Sequence, residues 1–247
     1  MKSALFVTDL DGTLVRENNE IELADLLAIK YWKQSGNLWV VATGRKWDSV
    51  EQLIKKYDLS ADALILENGA LILDASKEII WQKNIQSETV NQIRNIDLSV
   101  VKKVCLVTSY SQTTPQRLLE WTSFKQFSDH TISAIALQYD TADIAKQNID
   151  KVKLALNDVV FRNMNYIDIA PKCCSKGNAI QFLVDKWALN NSKIAVIGDS
   201  FNDISMFEVS SQAFTLEHAE KAMHNQDALV VKNVQEAINM VRMEWFF

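Results

Sequence analysis

The chain has 247 residues, 48% hydrophobic and 23% charged, a composition that suits an ordinary globular protein with one large domain or two unequal ones. A formal net charge of -5 argues against a nucleic-acid binder, which needs a basic face, and no run approaches the ~18 apolar residues of a membrane span. Cys105, Cys173 and Cys174 form neither an even set nor a metal-type spacing, so the expected setting is reducing and cytoplasmic.

The first apolar run, Ala4-Leu5-Phe6-Val7, reads as a buried strand and delivers Asp9-Leu10-Asp11-Gly12-Thr13 at its end. A helix is predicted over residues 21–35, with Leu23, Leu26, Leu27, Ile29 and Tyr31 as its apolar stripe. Gly36 ends it. A second strand at 38–42 leads into Thr43-Gly44-Arg45, and a second helix covers 50–57. The third strand, 63–66, ends at Glu67-Asn68-Gly69, where Asn-Gly between apolar runs signals a hairpin into antiparallel pieces at 70–73 and 79–81.

From about 82 to 166 the texture changes. Glycine is absent, Ser, Thr, Gln and Asn are more frequent, and the pattern gives strands at 101–107, 132–139 and 159–164 with helices at 87–96, 115–124 and 141–156. A separate α+β module inserted into a sheet domain fits this best. The core sheet is expected to resume at Tyr166-Ile167-Asp168-Ile169. A helix at 176–187, strands at 194–197, 213–215 and 229–231, and a closing helix at 234–241 follow. Strands separated by helical crossovers predict an α/β fold with a doubly wound, Rossmann-like parallel sheet, its core formed by 1–81 and 167–247 and its insert by 82–166.

Chemistry concentrates in two acidic clusters, each following a strand: Asp9 and Asp11 after the first, and Gly198-Asp199-Ser200-Phe201-Asn202-Asp203 after 194–197. In a parallel sheet the carboxyl ends of the strands line the ligand crevice. Four carboxylates on one rim repel unless a cation sits between them. Oxygen ligands of this kind suit Mg²⁺, which completes its shell with substrate phosphate. Of six glycines, Gly12, Gly44, Gly69, Gly177 and Gly198 fall beside these polar clusters. Singly, each cluster has a plainer reading: an Asp-Gly hairpin turn, Thr43 as a helix cap, Lys176 as a solvated lysine, Asp199 as an acidic cap. A calcium loop starting at Asp9 fails, because Leu14 stands where its sixth-position glycine is required. Together the clusters point to magnesium-dependent phosphoryl transfer.

In their order, Asp9-Leu10-Asp11-Gly12-Thr13, Thr43-Gly44-Arg45, Lys176-Gly177 and Gly198-Asp199-Ser200-Phe201-Asn202-Asp203 resemble the four motifs of the haloacid dehalogenase superfamily. More narrowly, the chain resembles the Cof-type, class IIB phosphatases, whose cap is inserted between the second and third motifs. Glu67-Asn68-Gly69-Ala70 and Asp168-Ile169-Ala170-Pro171-Lys172 match that subfamily's style, whereas Cys173-Cys174 stands where relatives often carry small residues and glycine. The resemblance implies Asp9 as a nucleophile forming an aspartyl-phosphate and Asp11 as the acid and base. It implies Mg²⁺ held by the Asp9 carboxylate, the Asp11 carbonyl and Asp199, with Asp203 behind them. Thr43 and Lys176, with the amides around Leu10 and Gly44, are expected to bind phosphate, and Arg45, Asn68 and Asn202 to surround it. The implied substrate is a small phosphorylated metabolite, a sugar phosphate or phosphorylated cofactor, acted on by a monomer or weak homodimer without nucleic-acid or membrane partners. Halide displacement and a silent phospho-ligand sensor are the alternatives, and Asp11 with Asp199 argues against the first. His130, His218 and His224 are dispersed and are expected to have surface or local structural roles.

Overall fold

The computed structural model describes residues 3–16, 19–93, 96–113, 116–120 and 131–246. At the centre of its larger sheet lies β1 (Leu5–Thr8), buried throughout and paired in parallel with β2 (Leu38–Ala42) on one side and β11 (Ile194–Ile197) on the other. Beyond β2 comes β3 (Ala63–Leu66), and beyond β11 come β12 (Gln212–Leu216) and β13 (Leu229–Val231), all parallel. The hairpin predicted at Asn68-Gly69 turns the chain into β4 (Leu71–Asp74) and β5 (Ile79–Gln82), the antiparallel edge.

Strands apolar at nearly every position need cover on both faces. Helices α1 (Leu23–Gln34), α2 (Trp47–Tyr57) and α8 (Val234–Phe246) cover Phe6, Trp39, Leu64 and Phe214. Helices α5 (Lys176–Lys186), α6 (Ile204–Phe207) and α7 (Lys221–His224) cover Leu5, Val7, Val40 and Val196. The doubly wound sheet read from the sequence is therefore present. Among the described residues, no helix is long and apolar enough to cross a membrane.

Helix α1 buries a different face from the expected one. Asp25, Ile29 and Trp32 point inward, while Leu23, Leu27 and Tyr31 are exposed. Trp32 decides the orientation, because its ring packs edge-on to Phe6 and its Nε1 donates to the Leu38 carbonyl at 2.7 Å. Asp25 follows it inward and accepts from the Gln235 N–H at 2.8 Å, near the start of α8.

The inserted stretch builds a second, wholly antiparallel sheet from β6 (Lys103–Thr108), β7 (Leu118–Glu120), β8 (Ile132–Gln138), β9 (Val159–Asn163) and β10 (Tyr166–Ala170), in the order β7-β6-β8-β10-β9. Helices α3 (Ser87–Gln92) and α4 (Ala142–Ala155) accompany it, around a core of Leu106, Ile135, Leu137, Val152 and Ile167. Two expectations are corrected here. Strand β10 does not resume the large sheet but pairs with β8 and β9, because buried Ile167 and Ile169 alternate with half-buried Tyr166 and Asp168, the signature of a strand covered on one face. The insert's sheet thus extends to Ala170 instead of stopping at 166. The helix expected at 115–124 gives way to β7, whose Leu118–Glu120 ladder with β6 captures that backbone; Pro115 and 121–124 lie outside the described residues.

Candidate active site

The β1–β11 ladder extends one bond past the strand, with the Asp9 N–H on the Ile197 carbonyl at 3.0 Å, and the chain then turns sharply. Thr13 and Val15 both donate to the Leu10 carbonyl, at 3.1 and 2.7 Å, and Gly12, just before Thr13 in this turn, has φ +79°. A Cβ on Gly12 would lie 2.2 Å from Asp199 Oδ2, so only glycine lets this loop lie against the second acidic cluster. Gly12→Ala should displace Asp199, cost about 1–3 kcal/mol of stability, and weaken divalent-cation binding measured by calorimetric titration. An unchanged affinity would mean that the close approach does not shape the site.

The second cluster is organised by Asp203. Its Oδ2 accepts from the N–H groups of Asp199 and Ser200, both at 3.0 Å, and its Oδ1 accepts from Lys176 Nζ at 2.6 Å. Lys176 opens α5, where the helix dipole disfavours a cation. Two carboxylates offset this, since the same Nζ donates to Asp9 Oδ1 at 2.7 Å and the side chain is fully buried. Gly177 makes the placement feasible: a Cβ there would lie 1.9 Å from the Ser205 carbonyl oxygen.

Asp9, Asp199 and Asp203 are all buried, and each offers an oxygen within 4.8 Å of the others. Burial raises the Asp9 pKa well above the usual carboxylate range, against Lys176 and with help from Asp203, Asp199 and Asp11. Burial and then Asp203 push Asp199 up to about 7. Lys176 is penalised by burial, yet Asp203 and Asp9 hold it above the usual lysine range. Three carboxylates against one ammonium leave an excess of negative charge in an all-oxygen donor set, which fits a hard divalent cation.

Asp11 stands apart from this set and is partly exposed. Arg45 holds it through Nε, 2.8 Å from Oδ2, and through Nη2. Thr43 is buried at the end of β2 and is not a helix cap, because α2 begins only at Trp47. Its Oγ1 instead accepts from the Arg45 N–H at 3.1 Å, which shapes the turn and leaves the hydroxyl hydrogen free to donate elsewhere. Leu10 and Gly44 follow the ends of β1 and β2 beside these groups. Asn202 Nδ2 donates to Asn68 Oδ1 at 3.0 Å, and Asn68 Nδ2 reaches Asp168 Oδ2 at 3.5 Å, so the two asparagines meet each other beneath the second sheet.

Residues 6–239 match the family model of the haloacid dehalogenase-like hydrolases. The chain belongs to that family. A 5-amino-6-(5-phospho-D-ribitylamino)uracil phosphatase of Bacillus subtilis is 26% identical over 267 aligned residues, covering 92% of each chain. A phosphoglycolate phosphatase of Pyrobaculum islandicum is 27% identical over 253, covering 98% of this chain and 96% of that one. Among solved structures, a haloacid dehalogenase-like hydrolase from B. subtilis superposes with a TM-score of 0.84 at 17% identity, over 99% of this chain and 100% of that one. The resemblance to Cof-type phosphatases is borne out, and the chain is a phosphatase, a hydrolase of phosphoric monoesters.

In this haloacid dehalogenase-like hydrolase a cleft of about 1000 Å³ opens beside Asp11, a volume suited to a small organic ligand. Asp199, His218 and Glu220 line it from the large sheet, Asn163 and Tyr166 from the second. His218 is exposed, as expected, and its Nε2 sits 2.7 Å from the Gly12 carbonyl oxygen; His224 has the local role expected, on the Leu216 carbonyl, and His130 lies outside the described residues. Sequence reasoning gave no role to Asp168, which burial pushes up to about 6. Its signal was there to find: a carboxylate in the middle of an otherwise apolar strand.

Proposed function

We propose that the chain is a magnesium-dependent phosphatase that hydrolyses phosphomonoesters of small metabolites through an aspartyl-phosphate on Asp9. The observation that carries this reading is the buried set in which Asp9, Asp199 and Asp203 face Lys176 at the ends of two adjacent parallel strands. An Asp9 oxygen attacks phosphorus, the bond from phosphorus to the leaving oxygen breaks, and Asp11 on the cleft side gives that oxygen a proton. Asp11 then takes a proton from the water that hydrolyses the acyl phosphate. Lys176, the Thr43 hydroxyl and the amides of Leu10 and Gly44 stabilise the non-bridging oxygens, while Arg45 holds Asp11 and the Asn68–Asn202 pair borders the phosphate site. The Asp9 carboxylate, Asp11 carbonyl and Asp199 would hold Mg²⁺, with Asp203 fixing Asp199 and Lys176 from behind. Bound there, the ion offsets repulsion between the anionic nucleophile and the phosphate.

The insert serves as the cap over the cleft, and the net charge of -5 disfavours polyanionic substrates. Both relatives above carry names of phosphatases acting on small metabolites, which supports the same class. Three unpaired thiols support a cytoplasmic setting, and a monomer or weak homodimer suffices for the chemistry.

Phosphate release from a metabolite panel, a phosphopeptide and an oligonucleotide tests the reading. Turnover is expected with small metabolites in Mg²⁺, and its loss in EDTA or with Ca²⁺ alone, which favours more ligands at longer distances. Because Asp199 is pushed up to about 7, protons compete for the site at low pH, so thermal stabilisation by Mg²⁺ should grow from about pH 5.5 to 8. Full activity in EDTA, or preference for the macromolecules, would overturn it. Mg²⁺ binding without any turnover would favour the phospho-ligand sensor.

A further inference from the structure

One buried acid has no part in this chemistry. Glu67, 1% exposed, occupies the turn between β3 and β4 with φ +53°, a left-handed conformation uncommon for a side-chain-bearing residue. Its carboxyl lies against the second sheet. Buried Gln116, just before β7, donates from Nε2 to Glu67 Oε1 and to the Thr108 carbonyl, while its own Oε1 accepts from the Trp47 N–H at 2.9 Å. The Ser133 hydroxyl beside it faces the Val107 and Thr108 carbonyls at 3.3 and 3.4 Å, and Glu67 Oε2 is buried with no hydrogen-bond partner. While the Ser133 hydroxyl donates to those carbonyls, an ionised Glu67 leaves one acceptor unsatisfied, whereas a protonated Glu67 has a hydrogen to donate to Ser133 Oγ.

The other side of Glu67 faces the catalytic loop. Its N–H donates to the Arg45 carbonyl at 3.1 Å, and the Arg45 guanidinium holds Asp11. We propose that Glu67 is a positioning residue: as the neutral acid it ties the 43–45 loop, and through Arg45 the Asp11 carboxyl, to Gln116 of the second sheet, and on ionising it loosens that tie. The tie stands on contacts alone; its effect on turnover rests on the role given to Asp11 above.

The surroundings support a neutral acid. The charged group facing Glu67 from the large-sheet side is Lys46, already paired with Asp48, and Arg45 is occupied by Asp11. From the second sheet come Gln116, Ser133 and Thr108, which do not titrate, and Asp168, which reaches the neighbouring Asn68 amide at 3.5 Å and is itself pushed up to about 6 by burial, while Lys176 of α5 is held by Asp9 and Asp203. Burial pushes Glu67 from 4.5 up to about 7, against the pull of Ser133, Gln116 and Lys46. An acid raised in the tied state makes the tie strongest below pH 4.5 and weakest above about 7. The corresponding ceiling on the change is roughly 300-fold.

Amide hydrogen exchange at Trp47, read in the full-length protein without metal or substrate, tests this. Protection relative to the β1 amides should fall at least tenfold between about pH 5.5 and 8.5 in the wild type. Glu67→Gln, which is neutral at both pH values, should show no such fall. Gln116→Ala, which leaves Glu67 in place, should already lack that protection at the lower pH. Constant wild-type protection, a Glu67→Gln protein that declines like the wild type, or a fully protected Gln116→Ala protein would each overturn the proposal. In the pH profile of turnover, Glu67→Gln should remove an alkaline fall in kcat near neutrality while leaving KM unchanged. Exchange as expected with no turnover in any variant would count against the phosphatase reading and leave the tie standing.

Discussion

Asp9→Asn is expected to lose phosphatase turnover by roughly 10³-fold or more, while the metal-free protein becomes more stable. An amide is a poor nucleophile and a weak ligand for a hard cation, so two losses coincide at one residue. The gain in stability has the opposite origin. Asp9 is one of three buried carboxylates facing a single ammonium, and burial already drives its pKa upward. Removing that charge relieves repulsion worth on the order of 1 kcal/mol, which urea unfolding in EDTA at pH 7.5 would register. Near-normal turnover in a verified, undeamidated protein would remove Asp9 from the nucleophile's role. A large destabilisation would show that its bond to Lys176 outweighs the repulsion.

Lys176→Met should act on the same pair with the reverse sign for stability. The methionine approximates the buried stem but carries no ammonium, so Asp9 loses its 2.7 Å partner and Asp203 its 2.6 Å partner. Breaking a buried ion pair by removing one member costs about 3–5 kcal/mol, a large share of the 5–15 kcal/mol that holds a typical domain together. The loss should shrink as pH falls, because raised carboxyl groups then bind protons and the uncompensated charge disappears. Urea midpoints at about pH 5 and 8 give the test. Equal midpoints for variant and wild type at pH 8 would mean that Lys176 is not the counter-charge of this cluster.

How far the sequence could be read depended on whether a feature was local. The strands before Asp9, Thr43 and Asp199 were legible because β-branched and aliphatic runs end abruptly in polar clusters, and a parallel sheet then places those ends on one rim. The glycines at 12 and 177 could be connected with these clusters, but not with the atoms they approach. Strand β10 is legible as a strand but not as a member of the second sheet, since Tyr166-Ile167-Asp168-Ile169 carries no mark of its partners; only its alternation points to a half-covered face. For α1, the apolar stripe read from the sequence gives way to the face of Asp25, Ile29 and Trp32, because Trp32 packs against Phe6 from another element. The grip of Arg45 on Asp11 and the contact of Gln116 with Glu67 join side chains 34 and 49 residues apart. Neither follows from spacing.

The parallel pairing of β1 with β11 has a consequence for how the molecule is made. On the ribosome, β1 gains β2 early, but its other edge stays open until β11 has been synthesised. Thr13 and Asp199, which touch across that seam, are 186 residues apart in the chain. At ordinary elongation rates this is a wait of roughly 10–40 s. Throughout it the nascent chain presents one unpaired edge of Leu5-Phe6-Val7-Thr8, a run able to pair with other incomplete chains.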